Sequence, residues 1–296
     1  MRFLPSSTTL KRLACKGVIV ANIVYMARSA WTGLLDSIRS KASISGTMTV
    51  SEATTAVENI PSGGGGDEFK ELIERTISVA SGSVSVIGIN AFNSCQSLIS
   101  ASFPAAKTIK QAAFGGCSKL TTIKMPAVET IELYAFQNCS SLTEASFPET
   151  VDVSQYAFAR CTSMSIAYFP KLMSIQSSTF VSCSYLTSIS FPLAKNVQSY
   201  AFGYCTRLSV ASFPNISAIS AYAFASCSNL LSLYLLGSSR VKLNSSNAFI
   251  NTPISNYTTS TGGVYGSIFV PASLYNSYIT STNWSLYSSR IVSVSE

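Results

Sequence analysis

The chain of 296 residues reads as a solenoid, a coil of short parallel strands stacked rung on rung, and three observations predict it. Cysteine returns at every twenty-second residue without one slip: Cys95, Cys117, Cys139, Cys161, Cys183, Cys205 and Cys227. Phenylalanine stands three residues before each of them, at Phe92, Phe114, Phe136, Phe158, Phe180, Phe202 and Phe224. A strand-length segment follows each cysteine, and proline closes it in six of the seven units. Self-similarity at one fixed period marks units that cannot bury an apolar face alone and must stack to build a continuous core.

Residues 1–29 form a leader with two readings. Arg2, Lys11, Arg12 and Lys16 precede an apolar run from Val18, and Ala27-Arg28-Ser29 would serve for cleavage, as in a signal peptide. Asn22 interrupts that run. The other reading is a start assigned too early: Lys16-Gly17-Val18 would be encoded by AAAGGAGTG, a ribosome-binding sequence, ahead of a GTG start at Val20. The nucleotide sequence separates the two.

Residues 30–61 form a helical hairpin. Trp31, Leu34, Leu35 and Ile38 keep helical spacing, and a second helix opens on the capping box Thr49-Val50-Ser51-Glu52 and continues through Ala53, Val57 and Ile60. This pair is similar to N-terminal segments of prophage tail-associated proteins. Residues 62–66, with Gly63–Gly66, read as a flexible linker. Residues 67–90 read as an N-terminal cap, in which DEFKELIERTI places Phe69, Leu72, Ile73 and Ile77 on one helical face behind Asp67 and Glu68.

Residues 91–250 are the repeats, of which AFGGCSKLTTIKMP (113–126) is a sample. In the first unit Ala101 and Phe103 alternate as a strand does, and Pro104, which has no N–H to donate, ends it. Ile109 turns inward, and the next Ala113-Phe114 pair with Cys117 returns the chain to the next rung. Rungs stack at about 4.8 Å, so the phenylalanines and the cysteines each become a column. Cysteine is a small, habitually buried residue, and the column reads as a core ladder. Parallel side chains on stacked rungs do not point at each other as a disulfide requires, and ligands in a line do not converge on a metal. The thiols are expected to be reduced and structural.

The phrase AF-x-x-C-x-x-L-x-x-x-x-F-P, with Ile six residues on, resembles the BspA-like class of leucine-rich repeat proteins. The resemblance implies a leucine-rich repeat solenoid with an α/β-type repeat, a parallel β-sheet on one face and seven to eight 22-residue rungs, here with a small helical N-terminal module. It also implies a non-enzymatic adhesion or protein-contact role at a microbial surface. After residue 250 the spacing breaks, since Ala248-Phe249 follows Ala223-Phe224 by 25 residues. Residues 251–296 read as a C-terminal cap: a strand at 268–270, a short helix from about Pro271 and a final strand, with Tyr278 and Trp284 packed over the open end of the core.

Composition removes several function classes. With no histidine in the chain, Ser-His-Asp and Cys-His catalysis are excluded. Net charge is +7, but Arg2, Lys11, Arg12 and Lys16 supply four of those charges and the rest are scattered, so no basic stripe suits nucleic acid. No run of about 18 apolar residues offers a transmembrane segment. No cofactor motif occurs. The acids between 92 and 250 are Glu129, Glu132, Glu144, Glu149 and Asp152, and short uniform turns give them no cleft for paired-acid catalysis.

Recognition is therefore expected on outward strand positions, with Lys124, Glu144, Tyr168, Ser190, Ser212 and Tyr234 as candidates. A second row, Tyr134, Tyr156, Tyr200 and Tyr222, precedes the Ala-Phe pair and either binds a ligand or packs beside the core with its hydroxyls in water. The partner is a protein or a glycan on a host or cell surface. The chain is then an extracellular adhesin or, alternatively, a virion-associated protein without a signal peptide.

Overall fold

The computed structural model describes residues 78–80, 82, 84–255 and 265–295. The leader, the helical hairpin, the glycine linker and the helix expected over 67–77 lie outside the described residues. From Ser78 onward the chain is a parallel coil. One ladder runs through the three-residue strands Ser100–Ser102, Thr122–Lys124, Glu144–Ser146, Ile166–Tyr168, Ser188–Ser190, Val210–Ser212 and Ser232–Tyr234. Ser78–Ala80 precedes them, and Ser267–Pro271 and Ile291–Val294 complete the series.

The repeat arithmetic predicts this sheet, and the structure adds a second ladder beside it. Two-residue strands such as Thr108–Ile109, Thr130–Ile131 and Ala218–Ile219 also pair in parallel. Their second residues, from Ile87 to Leu243, are buried. Register survives the longer spacing after 234: Ala218 pairs with Lys242, and Leu233 with Ile268.

A third arm, Ala-Phe-x-x-Cys, closes each rung. Among the described residues the only α-helix is Tyr275–Thr280, after the repeats, so this arm is built of turns. Its N–H groups alternate in direction. Ala113, Gly115 and Cys117 donate three residues back within the rung, while Phe114 and Gly116 donate to the next rung, at Ala135 and Gln137. The alternation requires left-handed backbone at two positions per rung. Ala112, Tyr134, Tyr156, Tyr200 and Tyr222 hold φ between 50° and 60° before the Ala-Phe pair, and Arg160, Ser182 and Tyr204 hold 60–61° before cysteine. Left-handed geometry costs a non-glycine residue about 1–2 kcal/mol. Here it aims an N–H along the coil axis.

The interior is a set of columns. Phe92 through Phe224 stack ring on ring at 5.1–5.6 Å within 14° of parallel, and Phe249 extends the column despite its longer spacing. A second column holds Phe147, Phe169, Phe191 and Phe213, meeting the first at tilted or edge contacts such as Phe158–Phe169. Trp284 and Tyr287 close over Phe249. Their polar atoms find partners: Trp284 Nε1 donates to the Val241 carbonyl at 2.7 Å, and Tyr287 donates its hydroxyl to the Ser246 carbonyl.

Neither strand ladder is continuous. The first splits into segments of three, two and five strands, parting between Lys124 and Glu144 and between Tyr168 and Ser188. The strand before each break has a centre, Ile123 or Ala167, that is only partly buried. The second ladder parts between Val153 and Ile175. The turn arm has no such gap: every Phe N–H from Phe92 to Phe224 reaches the next rung, at 2.6–2.9 Å.

Phe158 touches Phe136, Phe147, Phe169 and Phe180 and is fully buried. Phe158→Ala is expected to cost about 3–5 kcal/mol. It should also broaden the urea transition, because each rung contacts only its neighbours and the two halves begin to melt separately. Phe249→Ala should loosen the roof and leave the transition of the rungs sharp. Equal broadening by both, followed by circular dichroism, would contradict the column arrangement.

Candidate recognition face

The cysteine column is a structural device. Cys95 through Cys227 are free thiols, all buried. From Cys117 onward each donates across to the preceding rung: Cys117 Sγ to the Phe92 carbonyl at 2.9 Å, Cys139 to Phe114 at 3.1 Å, Cys161 to Phe136 at 3.2 Å, and so on to Cys227 on Phe202 at 3.0 Å. The same Phe carbonyl accepts its own rung's Cys N–H, so both its lone pairs are used. Burial pushes the Cys161 and Cys205 thiols up to about 12 and raises Cys139, Cys183 and Cys227 as well. Such thiols are poor nucleophiles and poor metal ligands. Among the described residues no three His, Cys, Asp or Glu side chains are grouped to hold a metal.

Hydroxyl columns explain the scarcity of charge. Ser140, Thr162, Ser184 and Ser228 each donate to a carbonyl 22 residues earlier, and so do Thr121, Thr143, Ser165 and Ser209. The five acids do not converge. Glu129, Glu132 and Glu149 pair with Lys107, Lys110 and Lys171 across single rungs at 2.6–2.7 Å. The Lys171 ammonium holds the Glu149 carboxyl below its ordinary value. Exposed pairs of this kind contribute about 0.2–1 kcal/mol. Glu144 and Asp152 stand exposed on different ladders.

The tyrosine row is half-buried, on left-handed backbone at the edge of the turn arm. Tyr134 and Tyr156 lie 5.4 Å apart and tilted, and Tyr200 and Tyr222 stack at 5.0 Å and 7°. Ser178, buried, separates the pairs. The row thus divides into two ring pairs.

The other candidates lie on the outer side of the first ladder. Lys124, Tyr168, Ser190, Ser212 and Tyr234 occupy the third strand position of successive or near-successive rungs, and Glu144 the first. Lys124, Glu144, Tyr168 and Ser190 are exposed, while Ser212 and Tyr234 are half-buried. Phe269, absent from the candidates read in the sequence, continues the column and stacks on Tyr234 at 4.6 Å. The 35-residue offset hides it from any 22-residue alignment, and only the strand register Tyr234↔Phe269 exposes it.

The model of the BspA type leucine-rich repeat region (6 copies) matches residues 67–171 and 151–265. The chain belongs to this family. Among solved structures, a leucine-rich repeat protein of T. pallidum is 26% identical, with 57% of this chain and 73% of that chain covered and a TM-score of 0.41. A leucine-rich repeat protein of Bacteroides ovatus is 18% identical, with 66% and 63% covered and a TM-score of 0.43. A leucine-rich cell surface protein of Faecalibacterium prausnitzii is 17% identical, with 73% and 78% covered and a TM-score of 0.30. No curated protein matches the chain. Among the described residues no helix of this BspA-type chain is long and apolar enough to cross a membrane.

The buried thiols set two expectations. Alkylation without reductant should spare Cys95–Cys227 in the native protein and modify all seven once it is unfolded; a native disulfide between rungs would refute this. Titration supplies the second. The folded values of Cys161 and Cys205, about 12, lie above the ordinary 9.0, so the folded state keeps protons that the unfolded chain releases. Stability is full below about pH 9 and falls toward pH 12, by up to about 1.4 kcal/mol per pH unit for each such thiol. In urea melts between pH 8 and 11, Cys161→Ala/Cys205→Ala should show a shallower decline than the parent. Parallel declines would count against burial as the cause.

Proposed function

We propose that this chain is a non-enzymatic recognition protein acting outside the cell at a microbial surface, with the outer side of the first ladder as its binding face. The observation that carries the reading is a contrast in hydroxyl use. Thr121, Thr143, Ser165 and Ser209, in the column just before the strands, commit their hydroxyls to rung-to-rung bonds, whereas those of Ser188, Ser190 and Ser212 and the phenols of Tyr168 and Tyr234 bond to no other described group. A face whose polar groups are free and whose rings are partly uncovered supplies both halves of a binding surface, apolar anchors and hydrogen-bonding groups.

Leucine-rich repeat scaffolds are typically non-enzymatic and typically bind proteins, and the separated carboxylates of this chain support the same reading. The virion-associated alternative rests on residues 30–61, outside the described residues, and the similar structures named above are leucine-rich repeat proteins. It has no observation in its favour here.

The test is capture of ligands by the full chain on protein and glycan arrays, beside a variant carrying Tyr168→Glu and Ser190→Lys. Both positions are exposed, so the variant should fold with an unchanged melting temperature. Loss of captured ligands in the variant is expected. An array without captured ligands, or captures indifferent to the double substitution, would overturn the assignment.

A further inference from the structure

The middle of the outer face narrows the chemistry of what it binds. Tyr168 and Tyr234 stand three rungs apart in one column, with Ser190 and Ser212 between them. At about 4.8 Å per rung that separation is about 14 Å. Tyr234 lies against Phe269 at 4.6 Å and 12°, so one ring face is covered, the ring is held across the coil axis, and the opposite face turns toward Ser212. Tyr168, 52% exposed, has Ser146 as its partner on the side away from the trough. The shorter side chains of Ser188, Ser190, Val210 and Ser212 lie between the two tyrosines and form the floor of a shallow trough.

Three features of the floor point the same way. Its hydroxyls are unused, as shown above. It bears no charge, and residues 153–295 contain no acid at all; Arg207, near the rim, is held over the Tyr185 ring at 3.7 Å. The ladder also parts beneath it. Ile166–Tyr168 and Ser188–Ser190 belong to different sheets, and Phe169 and Phe191 lie 6.4 Å apart where Phe147 and Phe169 lie 5.5 Å apart.

We propose that this trough binds a neutral oligosaccharide, with one hexose ring stacked across the coil axis on the open face of Tyr234, over Ser212, and a second reaching Ser190 and Tyr168. The proposal rests on the outer face being the recognition surface. The C–H groups on a pyranose face carry partial positive charge and suit the negative face of a phenol ring. Sugar hydroxyls and serine hydroxyls are both donors and acceptors, so each satisfies the other. The separation of about 14 Å between the two tyrosines leaves room for two hexose rings above the two serine rungs. An anionic ligand would find no cation on the floor. A purely apolar segment would leave four or more hydroxyl groups dry and unpaired, at a cost of about 1–3 kcal/mol each.

The experiment uses the full chain, titrated with maltohexaose, cellohexaose and mannohexaose and, in parallel, with heparin fragments and polygalacturonate, by calorimetry and saturation-transfer NMR. Binding to at least one neutral series is expected, unchanged between about 50 and 500 mM salt because no charges are involved. Tyr168→Ala should weaken it about tenfold by removing one aromatic contact. Ser190→Lys should abolish it by filling the floor, and Tyr134→Ala, in the separate tyrosine row, should leave it intact. Failure of every neutral saccharide, binding confined to acidic ones, or binding that survives Ser190→Lys would overturn the proposal. If array-captured proteins lose affinity on Ser190→Lys while no saccharide binds, the sugar assignment falls and the recognition face stands. Proteins and saccharides alike indifferent to the substitution would sink both.

Discussion

A hydrogen bond directed along the coil axis governs the repeat: the Phe N–H of one rung donates to the carbonyl of the small residue beginning the Ala-Phe pair of the next. From Phe92 to Phe224 it recurs at every interface, while both strand ladders lapse somewhere in the middle of the coil. To make it, the residue before the Ala-Phe pair and the residue before cysteine must turn left-handed, at about 1–2 kcal/mol each. Two axial N–H bonds and one thiol bond per interface return about 0.5–1.5 kcal/mol each for the N–H bonds, so at most they offset that strain. The surplus comes from the columns of buried rings and aliphatic side chains that this arm holds in register. Geometry is set by the hydrogen bonds, and stability by the core they align.

The choice of residues follows. Ala or Thr at the carbonyl position lets adjacent arms close, and the positions are fully buried. Cysteine is small enough for the same arm and carries a donor, so it satisfies the second lone pair of the Phe carbonyl below it. At the last turn Thr252 stands three residues after Phe249, and its hydroxyl donates to the Phe249 carbonyl of its own rung, where the thiols from Cys117 onward donate to the rung before.

Much of this was legible in the sequence. The 22-residue period placed the Phe and Cys columns, and Pro104 and its equivalents marked the strand ends. Other parts had no local signal. Left-handed backbone usually announces itself through glycine, yet Ala112, Tyr134 and Ser178 adopt it because the next rung demands it, and Gly116 is the lone glycine among the positive-φ residues described. Cysteine read as a small hydrophobe is half of the account, because its acceptor lies 25 residues back. The second ladder escaped because two-residue strands carry too little alternation to register. On the recognition face Tyr168 and Tyr234 were visible, but the stack of Tyr234 on Phe269 depends on a register that the sequence spacing conceals.

The face can serve recognition because the arm behind it carries the mechanical continuity. Where the first ladder parts, between Tyr168 and Ser188, the turn arm still joins the rungs through Phe158 to Thr179 and Phe180 to Ala201. Native-state hydrogen exchange tests this division of labour directly. The amides of Phe136, Phe158 and Phe180, with Asn138, Arg160 and Ser182, should be the slowest to exchange in the central rungs, slower than the strand amides of Ile123, Ala167 and Ile189. Strand amides more protected than those of the turn arm would contradict the account and make the sheet, not the arm, the spine of the coil.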